Sequence, residues 1–244
     1  MAVGSVVSAI AILRHLSTTT PQGVNAIARS LSLNPSTCFN ILKTLSSEGF
    51  LEFDPQSKTY RLTPPAWISQ SGAGMAAWTA WIREELKERA SQHEGTCGLW
   101  QLCADRLVLL EVADSPLDTR IHLAAGQRLP RYVGAMGRCI AARDELSLDD
   151  VTAVLPRLRW QDPPAPRAYW NDIRKVGEQG WAIDAGNLIR GVTTVASGIV
   201  NREGRILFCL SCSLFDGQLR DSDLPRLGNS IAALARQASR RLAN

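Results

Sequence analysis

Residues 34–45, NPSTCFNILKTL, constrain the fold more than any other part of the 244-residue chain. Asn34 is a good helix N-cap and Pro35 suits the first helical position, so a helix is predicted to start here. Cys38, Leu42 and Leu45 recur at helical spacing and form one apolar stripe. The opposite face carries hydroxyls, an amide and one cation: Ser36, Thr37, Asn40, Lys43 and Thr44. Such a face can donate to phosphates and base edges in a DNA groove, the alternative being a solvated helix face.

The segments around this helix predict a winged helix-turn-helix over residues 1–64. Apolar spacing predicts helices at Ser5–Leu16 and Val24–Leu31, and the turn 32–34 separates the second from the recognition helix. Gly49 suits the left-handed position that closes a helix. Two short strands at 50–53 and 58–62, joined by the turn 54–57, form the wing. Its cations Lys58 and Arg61 are candidate phosphate contacts.

Composition and charge are compatible with this prediction without requiring it. The net charge of +4 is mildly basic, which permits a nucleic-acid partner. Residues 1–64 hold five Lys or Arg against three Asp or Glu. No apolar run has the length of a bilayer span, so no membrane association is expected and the protein is predicted to be cytoplasmic. Six cysteines do not make a dense disulfide framework and are expected to be reduced thiols.

The rest of the chain predicts a second domain of mixed structure over 76–244, after a linker at 65–75 that opens with a Pro-Pro boundary. Helices are predicted at 76–90, 135–142, 147–155, 169–179 and 221–242, with a Pro-rich loop at 162–166. Strands are predicted at 96–103, 106–112, 181–184, 192–200 and 206–214, and 121–123 is a candidate strand. The fold class is therefore α+β, with an antiparallel sheet and flanking helices in the second domain.

Three segments in this order resemble the IclR family of transcriptional regulators over nearly the whole chain. SSEGFLEFDPQSKTYRLTP, after the recognition helix, resembles the family's helix end and wing. GQRLPRYVGAMGRCIAA resembles its glycine-rich approach to a pocket helix, and EQGWAIDAGNLIRGVTTVASGIVNREGRILFCLSCS resembles the end of its GAF-like ligand-binding domain. Two positions depart from the family pattern: Asn40 stands where a basic residue is frequent, and Thr194 where the family can carry a cysteine.

The resemblance implies an effector pocket lined by backbone before the pocket helix, an acidic residue and small polar residues on the last strands. On this chain these positions are Ala135, Met136, Asp184, Thr194, Ser211 and Ser213. The spacing supports Ser211 and Ser213 as a pair, because residues two apart on a strand point to the same face. Each polar side chain has the alternative role of satisfying nearby backbone. Trp100, Leu102, Leu123 and Met136 are candidate apolar walls, or plain core.

No pattern in the sequence favours catalysis or metal binding, and no cofactor is expected. Cys209 and Cys212 form a C-x-x-C, but residues three apart on a strand point to opposite faces and cannot easily share a metal. Neither a P-loop nor a G-x-G-x-x-G motif is present. An enzyme, or a sensor using its winged helix for protein contacts, is the weaker alternative.

These observations predict a ligand-responsive, sequence-specific regulator that binds double-stranded operator DNA. The resemblance implies a homodimer or homotetramer, either repressor or activator, that binds a small organic molecule. A repressor of a catabolic operon, released by a small organic acid with aromatic acids among the candidates, is the favoured form. Because one recognition helix makes few base contacts, two half-sites about 10 base pairs or a multiple apart are expected.

Overall fold

The computed structural model describes residues 3–62, 72–103 and 105–243. Contacts divide the chain into two units, Met1–Gly72 and Ala73–Asn244, which are described separately. The first unit holds helices α1 (Gly4–Thr18), α2 (Val24–Ser30) and α3 (Pro35–Ser47), followed by strands β1 (Leu51–Asp54) and β2 (Thr59–Leu62). This is the element order predicted for a winged helix-turn-helix.

Local signals define the ends of α3. The side chain of Asn34 accepts a hydrogen bond from the Ser36 amide at 2.9 Å, and Pro35 is the first helical residue. Gly49 follows the helix with φ +80°, the left-handed conformation predicted for it. The hairpin pairs Leu51 with Leu62, and Tyr60 also exchanges two backbone hydrogen bonds with Gln22. That bridge ties the loop before α2 to the wing.

The core of the first unit lies where the three helices meet the hairpin. Its buried members are Ile12, Leu16, Ile27, Ala28, Cys38, Leu42, Leu51 and Tyr60. The apolar spacing of Val6, Ile10, Leu13 and Leu16 predicts helix α1 correctly, but Val6 is 54% exposed and Ile10 is 45% exposed. Leu16 of that pattern is buried, and so is Ile12, which lies outside it; both lie on the side of α1 that faces the other helices.

The second unit is built on a six-stranded antiparallel sheet. Its helices are α4 (Gly72–His93), α5 (Gly134–Arg143), α6 (Leu148–Val154), α7 (Pro166–Gln179) and α8 (Leu224–Ala243). Its strands are β3 (Thr96–Cys103), β4 (Arg106–Ala113), β5 (Arg128–Pro130), β6 (Ala182–Ala185), β7 (Val192–Val200) and β8 (Ile206–Phe215). The strand order is β5-β4-β3-β8-β7-β6, so the long strands β3 and β8 lie at the centre.

Helices cover both faces of this sheet. On one face, Trp78 of α4 lies 5.1 Å from the ring of Phe208 on β8 and donates to the Ala238 carbonyl of α8. On the other face, α5 packs across β6, β7 and β8, and α7 packs on α5. The fold is therefore α+β, as predicted, with the sheet between two helical layers. No described helix is both long and apolar enough to cross a membrane.

Three predicted boundaries are corrected. Residues 121–123 form no strand; the edge strand is β5, which pairs Arg106 with Pro130 after a turn at Gly126 has reversed the chain. The Ile121 carbonyl instead accepts a hydrogen bond from Thr96 Oγ1 at 2.6 Å, which holds that segment as a loop. Helix α7 starts at Pro166 rather than at 169, because this proline occupies the first helical position.

Helix α4 runs from Gly72 to His93 and is longer than the predicted 76–90. Residues 63–71 lie outside the described part of the chain, so the linker predicted at 65–75 stays a prediction for most of its length.

The predicted cap at Ser147 is confirmed. Its hydroxyl accepts from the Asp150 amide, and the Asp150 carboxylate accepts from the Ser147 amide in a reciprocal capping box.

Helix α5 approaches the chain before it so closely that Gly137 has no space for a side chain. A Cβ at Gly137 would overlap the backbone carbonyl group of Tyr132. Gly134, which starts the helix, has φ +65°. These two glycines therefore allow α5 to lie against the turn that leads into it.

Replacing Gly137 by alanine is expected to destabilise the second unit by at least about 1–3 kcal/mol, because backbone must move to relieve the overlap. Gly177→Ala on α7 is the matched control, since a Cβ there meets nothing within 4 Å. That helical substitution should stabilise by about 0.4–1 kcal/mol. Urea unfolding followed by circular dichroism measures both, and equal midpoints would contradict the close-packing argument.

Candidate functional site

The recognition helix α3 separates an apolar side from a polar side. Cys38 and Leu42 are fully buried in the core of the first unit. The five predicted DNA-contacting residues are all exposed: Ser36, Thr37, Asn40, Lys43 and Thr44. The Thr44 hydroxyl donates to the Asn40 carbonyl at 2.9 Å and is therefore turned toward the helix backbone. The other four present their polar groups on the surface of a rigid, packed helix.

The wing presents its two cations differently. Lys58 lies at the end of the turn with φ 54° and an exposed side chain. The Asp54 carboxylate holds this turn, accepting from Ser57 Oγ at 2.7 Å and from the Gln56 amide at 2.8 Å. These hydrogen bonds lower the pKa of Asp54. Arg61 is instead bound to Glu52 on the neighbouring strand, at 2.8 Å from Nη2.

Most of the predicted effector residues lie in two cross-strand rows on the α5 face of the sheet. One row places Asp184, Thr194 and Ser213 side by side on β6, β7 and β8. The next row contains Ala182, Ala196, Ser211 and Gly98. The hydroxyls of Thr194 and Ser213 are 2.9 Å apart and hydrogen bonded. These side chains are nearly all small, and the space between them and α5, called the recess from here on, is filled by other side chains.

The indole of Trp100 lies in this recess. Trp100 is 2% exposed, and its Nε1 donates to Ser211 Oγ at 2.9 Å. A Cβ on Gly98 would lie 2.9 Å from the same nitrogen, so the ring extends over that glycine. Ala135 and Met136 of α5 are also buried in this cluster, with Leu102 and Leu123 packed against it. The structure therefore brings the predicted pocket residues together in a filled core.

A charged cluster beside this recess was not predicted from the sequence. Arg138 of α5 is 2% exposed, and its Nη1 donates to Asp184 Oδ1 at 2.7 Å. Nη2 donates to Asn187 at 2.7 Å, and Nε donates to Asp172 of α7 at 3.3 Å. The guanidinium also lies 4.8 Å from the ring centre of Tyr169. Asp184 in turn accepts a hydrogen bond from the Leu188 amide at 3.0 Å, so its carboxylate is bonded to neighbouring donors of the protein.

The sequence signal for Arg138 was present but weak. It is the one charged residue in the run GAMGRCIAA, whose other members have small or apolar side chains. Residues 134–141 of α5 are all buried. A charge in such a run requires a buried partner.

The cysteines occupy both faces of the sheet. Cys209 belongs to the cluster under α5, whereas Cys212 is paired across the strands with Cys97 on the opposite face. The two side chains of the C-x-x-C pair therefore point to opposite faces of the sheet, as predicted. Burial raises the pKa of Cys139 to about 12 and raises that of Cys209 well above its ordinary value. Within the described residues, no group of three or more potential metal ligands is present.

A winged helix with an exposed polar recognition helix, joined in one chain to a sheet domain with a recess of small polar residues, defines a class of transcriptional regulator. Its members carry one DNA-binding and one effector-binding domain. Comparison with known families agrees: the IclR helix-turn-helix domain matches residues 5–55, and the family described as Bacterial transcriptional regulator IclR C-terminal matches residues 78–240. The chain belongs to the IclR family of transcriptional regulators, which are not enzymes.

Similarity to individual proteins extends over most of the chain. The HTH-type transcriptional regulator XynR of Escherichia coli is 26% identical over 235 residues, covering 90% of this chain and 88% of XynR. KdgR of the same species is 24% identical over 220 residues, covering 86% and 82%. The crystal structure of an IclR transcriptional regulator from Alicyclobacillus acidocaldarius aligns over 100% of both chains with a TM-score of 0.61 and 28% identity.

Removing the Arg138 guanidinium is expected to destabilise the second unit by about 3–5 kcal/mol, because Arg138→Met leaves the Asp184 carboxylate buried without its counter-charge. The double variant Arg138→Met/Asp184→Asn should recover part of that loss. Arg83→Met is the control, since the Arg83–Glu111 pair lies at the surface and exposed pairs contribute little. Urea unfolding measures all three, and an Arg138→Met midpoint equal to that of the control would contradict this account.

Proposed function

We propose that this chain is a ligand-responsive repressor of a catabolic operon, which binds operator DNA specifically and is released by a small organic acid. Residues 1–64 bind DNA, 65–75 connect, and 76–244 bind the effector and mediate oligomerisation in the cytoplasm. One observation supports the DNA-binding role above all. Helix α3 is fixed by the buried Cys38 and Leu42 while Ser36, Thr37, Asn40 and Lys43 stay exposed, so the polar side chains are preorganised for a groove.

The contacts assign different tasks to these residues. Lys43 and Lys58 carry charges suited to phosphate, and neither belongs to an ion pair within the described residues. Arg61 is paired with Glu52, so a phosphate would compete with that carboxylate for the guanidinium. Asn40 presents an amide, the group that pairs bidentately with adenine.

The proposed effector site is the recess between α5 and the two cross-strand rows. The hydroxyls of Thr194, Ser211 and Ser213 supply donors for a carboxylate or carbonyl. The first-turn amides of α5, at Ala135 and Met136, favour an anion because the first amides of a helix lack intrahelical partners. The carboxylate of Asp184 is already matched by Arg138, which reduces its repulsion of an acid.

The ligand needs space that Trp100 occupies, so binding is expected to displace the indole from Ser211. The ligand would then bind the domain with a displaced indole more tightly than the domain with the indole in place. A ligand can regulate DNA binding only if it has different affinities for two such arrangements. Helix α4 packs on the sheet through Trp78 and follows the linker in the chain. We therefore propose the segment 65–90 as the part that transmits the change.

In addition to the oligomer contacts proposed for residues 76–244, a second copy of the chain is proposed to cover the exposed apolar side of α1. Val3, Val6, Val7 and Ile10 are each at least 45% exposed. Val7 and Ile10 also line a shallow groove with Ala11, Arg14, His15 and Leu31. Contiguous apolar exposure on one helix is typical of a protein interface. A homodimer formed here would place two recognition helices on two half-sites.

Fluorescence anisotropy tests the proposed function directly. The purified protein is titrated onto DNA from upstream of its own gene and onto random DNA at near-physiological salt, with and without a panel of aromatic and short aliphatic acids. Specific recognition requires binding at least about a thousandfold tighter than to random DNA. Specific binding that no acid shifts would remove the acid effector while keeping the DNA-binding regulator. Failure on this and all other promoters would overturn the function.

Lys43→Ala and Lys58→Ala are each expected to weaken binding to specific and random DNA alike and to flatten the salt dependence by about one unit of log–log slope, because each removes one phosphate contact. Anisotropy titrations over a series of salt concentrations measure the slope. Lys175→Ala on α7 is the control, since Lys175 lies in the second unit, outside the segment 65–90, and pairs with Asp172. Slopes equal to the parent's would remove both lysines from the backbone contacts.

Ile10→Glu is expected to raise the dissociation constant of the homodimer at least about tenfold, because the interface would bury an unpaired carboxylate. Analytical ultracentrifugation measures the constant, and DNA affinity should fall in parallel. Ile10→Leu is the control, since it keeps an apolar side chain at the same position. An unchanged constant for Ile10→Glu would place the dimer interface elsewhere.

A further inference from the structure

One large apolar side chain stands on the exposed side of the recognition helix. Phe39 is 46% exposed, although its neighbour Cys38 is fully buried. The core of the first unit forms without it. A single exposed apolar residue is ordinary on a protein surface. Exposure alone therefore indicates no function for Phe39, and its position on the recognition helix is the informative feature.

The surroundings of Phe39 are polar and positively charged. Ser36 precedes it by three residues and Lys43 follows it by four, so the three side chains share one strip of the helix surface. Both neighbours are exposed, and Asn40 is adjacent in sequence. No carboxylate lies in Pro35–Ser47. A protein partner that bound through the phenyl ring would have to accommodate this cation and these hydroxyls, whereas DNA complements them.

The major groove offers one apolar group on its floor, the 5-methyl group of thymine. A side chain on the outer side of a recognition helix, next to a phosphate-binding lysine, is placed to reach base edges. A phenyl ring has no donor or acceptor and gains nothing from the polar edges of guanine, cytosine or adenine. Its contact with a methyl group instead removes apolar surface from water.

We infer that Phe39 reads the 5-methyl group of a thymine in each operator half-site. The inference rests on the proposed DNA-binding function and makes it more specific. Asn40, the next residue, favours adenine through its amide, so the two residues together select an A·T-containing step. Phe39 thus sets sequence preference, while Lys43 provides affinity that is independent of sequence.

Replacing thymine by uracil removes this methyl group and leaves the Watson–Crick pair unchanged. Duplexes are first selected by the full-length protein from a random library, so the operator sequence is found by the selection itself. Each thymine of the selected duplex is then replaced in turn by deoxyuridine, and affinity is measured by anisotropy for the parent, Phe39→Ala and Phe39→Leu. Thermal unfolding checks that the variants fold.

At one thymine per half-site, uracil is expected to weaken parental binding about fourfold, the effect of leaving one methyl-sized group unburied. Phe39→Ala should bind the thymine duplex more weakly and show no thymine preference at that position, and Phe39→Leu should keep part of the preference. Phe53→Ala is the matched control, because Phe53 is 43% exposed in the same unit but lies on the wing. The Phe53→Ala variant should retain the parental ratio between the affinities for the thymine and uracil duplexes.

The outcomes separate failure of this inference from failure of the function. If selection enriches no sequence, the proposed function fails. If selection succeeds but uracil weakens binding nowhere, or weakens the parent and Phe39→Ala equally, the inference is overturned while specific DNA binding stands. If Phe39→Ala instead raises the dissociation constant of the homodimer and leaves the thymine-to-uracil ratio unchanged, the ring is a subunit contact and the inference is again overturned.

Discussion

The ion pair between Arg138 and Asp184 is the interaction on which the second unit depends. A buried guanidinium is costly unless its donors are matched, and here they reach an aspartate on β6, an aspartate on α7 and an asparagine in the loop before β7. One side chain therefore fixes the position of α5 relative to three other parts of the unit. The recess above β7 and β8 keeps its shape because α5 cannot slide without breaking this network. Gly137 adds a steric constraint in the same helix, because the backbone of α5 lies against the backbone of Tyr132 at this position with no space for a side chain.

The first unit is stabilised differently, by a small apolar core without buried ion pairs among its described residues. Helix α3 contributes Cys38 and Leu42 to that core and faces outward with its polar residues. The same burial that stabilises the fold therefore orients the surface proposed to contact DNA. Any substitution that loosens the core of this unit should also lower DNA affinity without touching a base or a phosphate.

The features that depend on short-range interactions are the ones that the sequence predicts most accurately. The cap at Asn34, the capping box at Ser147 and the left-handed Gly49 each depend on residues a few positions apart, and each is present. The edge strand was misplaced because pairing with β4 is decided by the turn at Gly126, not by the apolar residues at 121–123. Arg138 was missed because its partners lie 34, 46 and 49 residues away in sequence. Spacing on α1 identified a helix that includes the buried Leu16, but not that Val6 and Ile10 stay exposed, since burial depends on the helices packed against it.

The position of Trp100 gives this protein an internal optical reporter. Its indole lies at the centre of the proposed effector site and makes a defined hydrogen bond to Ser211. The other tryptophans that the structure describes in contact with aromatic rings or cations lie elsewhere: Trp78 on the opposite face of the sheet, Trp81 beside Arg241, Trp160 beside Tyr169 and Trp170 beside Arg174. A molecule that entered the proposed site would change the polarity around Trp100. The part of the tryptophan emission that Trp100→Phe removes is therefore expected to follow occupancy of that site without any attached dye.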